Sequence, residues 1–188
     1  SPHNNKTIYH GFQYLFESKD GGNSWKRISG DLTYNNKERM GRTPYAINHQ
    51  AITAIDESPL KKGLLYVGTD DGRIWVRMAE GKEFASIMKG IPQNAHASRL
   101  VASAHQPNRV YLSLSNRRED DDKPYVYVSD DNGTTWRSIA ANLPASPLAG
   151  CARPSIALLP PSQALAGRRA ERHSHAALSA SQRRRFLV

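Results

Sequence analysis

One eight-residue block constrains this chain more than anything else in it. Ser18-Lys-Asp20-Gly-Gly22-Asn-Ser-Trp25 returns as Ser129-Asp-Asp131-Asn-Gly133-Thr-Thr-Trp136, with Ser, Asp, Gly and Trp at the same places. A third, degenerate copy keeps Gly81 and Phe84 but carries Arg77 and Ala79 where Ser and Asp stand in the others. After each aromatic the register continues without a gap. Trp25, Ile28 and Leu32 match Phe84, Ile87 and Ile91, and then Trp136, Ile139 and Leu143. The aromatics are 59 and 52 residues apart. Self-similarity at a period near 50 points to stacked repeat units, longer than those of most helical solenoids.

Each unit reads as strands. Ala51–Ile55 and Arg99–Ser103 are short apolar runs that end before Pro59 and Pro107. The stretches 64–69 and 109–115 are rich in β-branched and aromatic residues. Asp70-Asp71-Gly72 predicts a tight turn into Arg73–Val76, and Tyr125–Val128 is the matching later strand. A fourth strand starts at each aromatic. Gly, Asn and Asp interrupt every stretch before a 3.6-residue periodicity can build. The expectation is an all-β fold. Four antiparallel strands per unit make propeller blades, about two and three-quarter of them, because the first unit lacks its opening strand. A β-sandwich is the alternative, but it does not require one motif at the same turn of every unit.

The Ser-x-Asp-x-Gly-x-x-Trp block resembles the Asp-box, or BNR repeat. In that family the motif joins the third and fourth strands of a propeller blade, on the face opposite the strand-entry loops that hold ligands. The resemblance covers residues 1–144. The phrases Tyr66-Val-Gly-Thr-Asp-Asp-Gly72 and Ser29-Gly-Asp-Leu-Thr33 are similar to sortilin/VPS10-like and bacterial BNR proteins. That broad group includes sialidases, xyloglucan-cleaving hydrolases and sortilin-type peptide receptors, and fold alone does not choose among them. Ser18, Asp20, Gly22, Trp25, Ser129, Asp131, Gly133 and Trp136 are expected to be structural. The carboxylate accepts backbone N–H bonds, the Gly supplies positive φ, and the Trp buries a ring between sheets.

No constellation of catalytic type emerges. A sialidase arginine cluster cannot be assembled from Arg39, Arg42, Arg99, Arg117 and Arg118, and the Phe-Arg-Ile-Pro signature is absent. The dense acidic groups are Asp70-Asp71, read as a hairpin turn, and Glu119–Asp122, read as a solvated excursion within a long loop, 115–124. Neither matches an EF-hand spacing, and the histidines are isolated, so no metal and no cofactor are expected. Tyr45, His49, Arg99 and Arg117, on the loops 35–50, 94–99 and 115–124, are the expected contacts of a ligand face. The partner expected there is a protein or peptide on a non-catalytic scaffold. The alternative is carbohydrate, with the chain a fragment of a BNR-type glycoside hydrolase.

Charge marks a boundary. Residues 1–144 hold 19 Lys+Arg against 16 Asp+Glu, whereas 145–188 hold seven Arg, no Lys and the single acid Glu171. Ala fills ten of those 44 positions, and Asp, Asn, Thr, Tyr and Trp are missing from them. The basic balance therefore belongs to 145–188, expected to be a disordered tail of the composition that a frameshift in GC-rich DNA produces. Arg183–Arg185 lack interleaved aromatics, so no nucleic-acid partner is expected. No apolar run reaches the roughly 18 residues of a membrane helix. The remaining blades of a longer propeller are the other expected partner, and export from the cell is the expected setting of that longer protein.

Overall fold

The computed structural model describes residues 1–37, 50–141 and 143, all in one compact unit. The tail from 145 lies outside the described residues. Eleven strands form three antiparallel meanders, and no α-helix occurs among the described residues.

The first sheet comprises β1 (Ile8–Gly11), β2 (Leu15–Ser18) and β3 (Lys26–Arg27). The second runs β4 (Ile52–Glu57), β5 (Leu65–Thr69), β6 (Ile74–Arg77) and β7 (Ala85–Ser86). The third runs β8 (His96–Ala102), β9 (Val110–Asn116), β10 (Asp121–Ser129) and β11 (Arg137–Ser138). Strand order equals chain order in every sheet, so each is one blade of a partial propeller. The first blade has three strands and the others four.

Burial explains why these strands form. Leu65–Thr69 is buried along its whole length, because β5 lies between two other sheets. Its front residues Leu65 and Val67 join Leu15, Leu32 and Ile52 in a core beneath the first sheet. Its rear residue Tyr66 joins Val110, Leu112 and Leu114 in a larger core beneath the third. Small residues let the sheets approach. A Cβ on Gly68 would stand 2.6 Å from the Cβ of Ala97, and one on Gly11 would stand 2.6 Å from that of Ile52.

Three details differ from the sequence reading. The expected loop 115–124 is mostly strand: β9 continues to Asn116, a 3-10 turn covers Arg117–Glu119, and β10 resumes at Asp121. Asp120 adopts φ 55°, so its N–H reaches the Arg117 carbonyl and closes the turn. The register shift between Asp121 and Tyr125 absorbs the irregularity, with the Tyr125 hydroxyl donating to Asp121 at 2.5 Å. Arg99 lies inside β8, paired with Ser113, rather than on a loop before it. Trp25 is not buried between sheets. It is 45% exposed, since no sheet packs on its face among the described residues.

Candidate functional site

The two Ser-x-Asp-x-Gly-x-x-Trp turns connect β2 to β3 and β10 to β11 and have the same internal wiring. Asp131 Oδ1 accepts from the Ser129 hydroxyl at 2.7 Å and the Thr135 N–H at 2.9 Å, and Oδ2 accepts from the Thr135 hydroxyl at 2.7 Å. Asp20 repeats this with Ser18 and Ser24, at 2.8, 2.9 and 2.6 Å. Each Ser oxygen also receives the Gly N–H, Gly22 at 2.8 Å and Gly133 at 2.7 Å. The Ser24 hydroxyl and N–H, then the Ser18 hydroxyl, hold the Asp20 carboxyl down at about 2. At Asp131 burial pushes upward, but the bonds from Thr135 and Ser129 outweigh it and the carboxyl is lowered. Both groups are therefore anions tied into their own turns.

The tryptophans diverge. Trp136 Nε1 donates across to the Ile87 carbonyl of the second sheet at 2.8 Å, whereas Trp25 Nε1 reaches only its own Gly22 carbonyl at 3.1 Å.

On the opposite face, where β5 turns into β6 and each first strand begins, the structure gathers residues that the sequence reading passed over. Asp70 and Asp71 form the expected hairpin turn and are buried. Asp70 Oδ1 accepts from the N–H groups of Gln50 at 2.6 Å and Ala51 at 2.9 Å, which start the second blade. Asp71 Oδ2 accepts from the Tyr34 N–H at 2.7 Å, on the connection from the first blade. Its other oxygen takes the Thr69 hydroxyl. Arg118, on the third blade's turn, brings Nη1 to 3.9 Å from Asp70 Oδ2. Three blades thus meet at one carboxylate pair. Gln50 holds φ 89°, a left-handed conformation rare for a residue with a Cβ, and the Asp70 bond fixes it there.

Beside this pair, the Arg73 guanidinium lies 4.9 Å from the Tyr34 ring centroid and 4.2 Å from that of Trp75. Arg73 Nη1 donates to the Thr33 carbonyl at 3.2 Å, and Trp75 Nε1 to the Leu32 carbonyl at 2.7 Å. A planar cation held between two aromatic faces makes a rigid platform. Tyr34 leaves 43% of its surface in solvent. Trp75 continues the platform into an open groove of about 500 Å³ along the rim between the first two blades, where Arg27, Lys82 and Phe84 also stand. A second groove, of about 400 Å³, holds Tyr9, Asp56 and Glu57.

Of the expected ligand-face residues, Tyr45 and His49 lie outside the described residues. Arg117 is exposed on the 3-10 turn, next to Arg118, and Arg99 is in mid-strand. Among the described residues no group of three or more His, Cys, Asp or Glu is placed to hold a metal ion. No described helix is long and apolar enough to cross a membrane.

Asp56 gives a pH-dependent prediction. Its Oδ2 accepts the Ala102 N–H at 2.7 Å, joining the inner strands of the second and third blades. Burial, opposed by that N–H and by Arg99, pushes its carboxyl up to about 6. A carboxyl raised on folding binds its proton more tightly in the native state, so the ionised form is the costly one. Stability on this account is greatest below about pH 4 and falls as pH rises through about 6. Asp56→Asn keeps an oxygen for Ala102 and removes the charge. It should raise the unfolding free energy by about 1–2 kcal/mol at pH 8, less than the full shift implies because the group keeps some solvent contact. Denaturant titrations at pH 8 and pH 4 check this, with the gain absent at pH 4.

No family model matches the sequence, and no curated protein matches it either. Solved structures do resemble the fold. An ancestral GH74 enzyme superposes with a TM-score of 0.54 at 15% identity, over 74% of this chain and 17% of that one. The GH74 enzyme of Niastella koreensis gives 0.49 at 20% identity, over 73% of this chain and 20% of that one. The GH74 xyloglucanase of Xanthomonas campestris gives 0.44 at 20%, over 66% and 17%. The likeness at 0.54 supports the propeller architecture. The chain spans about a fifth or less of the length of each of these proteins.

Proposed function

We propose that the chain is a segment of a carbohydrate-active propeller and that its strand-entry face contacts glycan. The observation that carries this reading is the Tyr34–Arg73–Trp75 stack beside Asp70 and Asp71. Sugar rings present C–H faces that pack on aromatic planes, while their hydroxyls need charged or amide partners at the edge. A stack with one exposed aromatic face and an arginine in its centre offers both. The GH74 neighbours favour carbohydrate over the protein or peptide scaffold expected from the sequence. Sortilin-like peptide binding has no comparable feature among the described residues to support it.

The role assigned to this face is binding. Hydrolysis of a glycosidic bond takes two carboxyl groups on either side of the bond, about 5–10 Å apart. Asp70 and Asp71 are neighbours on one turn, and each accepts a backbone N–H. They position the loops. The Ser-x-Asp-x-Gly-x-x-Trp turns are assigned a structural role, and residues 145–188 are assigned to a tail outside the propeller.

Calorimetric titration with xyloglucan or β-glucan oligosaccharides tests the proposal. Tyr34→Ala, which removes an exposed ring, should weaken binding about fivefold, the equivalent of about 1 kcal/mol, with an unchanged melting temperature. An affinity that survives the substitution intact, or no binding to either glycan, would refute it.

A further inference from the structure

We propose that Arg73 makes the strand-entry face selective for acidic glycans, by pairing the free edge of its guanidinium with the carboxylate of a uronic acid residue. The inference rests on the glycan reading above and names the class of sugar that the same site takes.

Arg73 is fixed at both ends. Its N–H donates to the Thr69 hydroxyl at 2.8 Å, and its carbonyl accepts the Thr69 N–H at 2.9 Å. At the far end the guanidinium lies between Tyr34 and Trp75, and Nη1 donates to the Thr33 carbonyl. Tyr34 is itself pinned, because its N–H is bonded to Asp71. A long side chain is thereby held in one orientation before any ligand arrives, which removes an ordering cost from binding.

What this clip leaves unused is chemically specific. Nε and Nη2 of Arg73 have no acceptor among the described residues, and neither is sealed from solvent. Those two nitrogens form the side-on edge of the guanidinium, whose parallel N–H groups meet both oxygens of one carboxylate. Arg77, farther along the same face, is the contrast. It stands over Phe84 with its Nε buried.

Charge points the same way. No ion pair among the described residues includes Arg73. The nearby carboxylates are committed elsewhere. Asp70 receives the Gln50 and Ala51 N–H groups, and Asp71 receives the Tyr34 N–H and the Thr69 hydroxyl. Asp31 receives the Thr33 N–H and hydroxyl. A fixed cation, partly withdrawn from water and lacking a counter-ion, favours an anion at its open edge. The groove that continues from Trp75 also carries Arg27 and Lys82, beside Asp31 and Glu83. A neutral glucan leaves the Arg73 edge to water. A uronan uses it: one sugar packs on Tyr34, and the next residue along the chain brings its carboxylate to Nε and Nη2.

Calorimetric titration of the full chain at about pH 7, where a uronate is ionised, provides the test. Cello-oligosaccharides are compared with β-glucuronan oligosaccharides of equal length, which carry a carboxylate in place of the primary hydroxyl. The methyl esters of the glucuronan are the third ligand. The glucuronan should bind about tenfold tighter than either neutral form, the low end for a charged hydrogen-bonded pair open to solvent. Arg73→Lys keeps the charge but not the two-pronged edge, and should reduce that preference to about twofold. The ester comparison needs no variant, so it decides the matter even if Arg73→Lys fails to fold. Equal affinity for the glucuronan and its ester overturns the inference. If the neutral sugars then still bind and lose affinity in Tyr34→Ala, the glycan reading stands without it. A preference of about tenfold that survives Arg73→Lys also overturns the inference, since plain charge attraction would then suffice. Binding of none of the three ligands overturns both.

Discussion

Trp136→Ala should lower the unfolding free energy by about 3 kcal/mol, while Trp25→Ala should lower it by less than about 1. The two residues sit at the same place in the same motif. Their difference is entirely tertiary. Trp136 packs its ring against the larger core and bonds the Ile87 carbonyl, so its removal opens a cavity between two sheets and leaves a carbonyl without its donor. Trp25 contacts its own turn and the edge of His10, and nearly half of it is in water. Parallel denaturant titrations of the two variants measure the contrast. Equal losses would mean that both rings serve only their local turns.

Gly133→Val is the second large effect, at about 3 kcal/mol. Two penalties combine. The backbone holds φ +91°, which costs a β-branched residue about 1 kcal/mol or more. The new side chain would also overlap Ile87, and overpacking between sheets costs about 1–3 kcal/mol. Gly22→Ala has the first penalty without the second, because its hollow is open, and should lose only about 1 kcal/mol. If both glycines tolerate substitution alike, Ile87 is not seated over Gly133 as described.

Much of the fold is legible in the sequence because its determinants are local. The turn is specified by Ser, Asp and Gly within four residues, and the strands by short apolar runs that end at Gly, Pro or Asp. What lies between blades is not legible in that way. The repeat predicts a buried ring at both tryptophans, but burial depends on what packs above the ring, which the motif does not encode. Asp70-Asp71 reads as a hairpin turn, and a turn motif does not say what its carboxylates bond. Their partners, Gln50 and Tyr34, lie 20 and 37 residues away, beyond any local pattern. One signal was available. Two acids terminate Leu65–Thr69, a strand apolar enough to be buried on both faces, so the turn after it starts inside the protein. The 3-10 turn at Arg117–Glu119 was hidden for a similar reason. A run of Arg, Glu and Asp reads as loop, while the hairpin is extended by Tyr125 reaching Asp121.

The stacking of one blade on the next is tested most directly by hydrogen exchange at the indole N–H groups, followed by NMR. The chain has three tryptophans and hence three indole resonances. Trp75 and Trp136 donate to Leu32 and Ile87 carbonyls, 43 and 49 residues away, and should exchange slowly, with rates set by separation of the sheets. Trp25, bonded within its turn and exposed, should exchange many times faster. Three indoles exchanging at one fast rate, or a Trp136 no better protected than Trp25, would contradict the blade-on-blade arrangement.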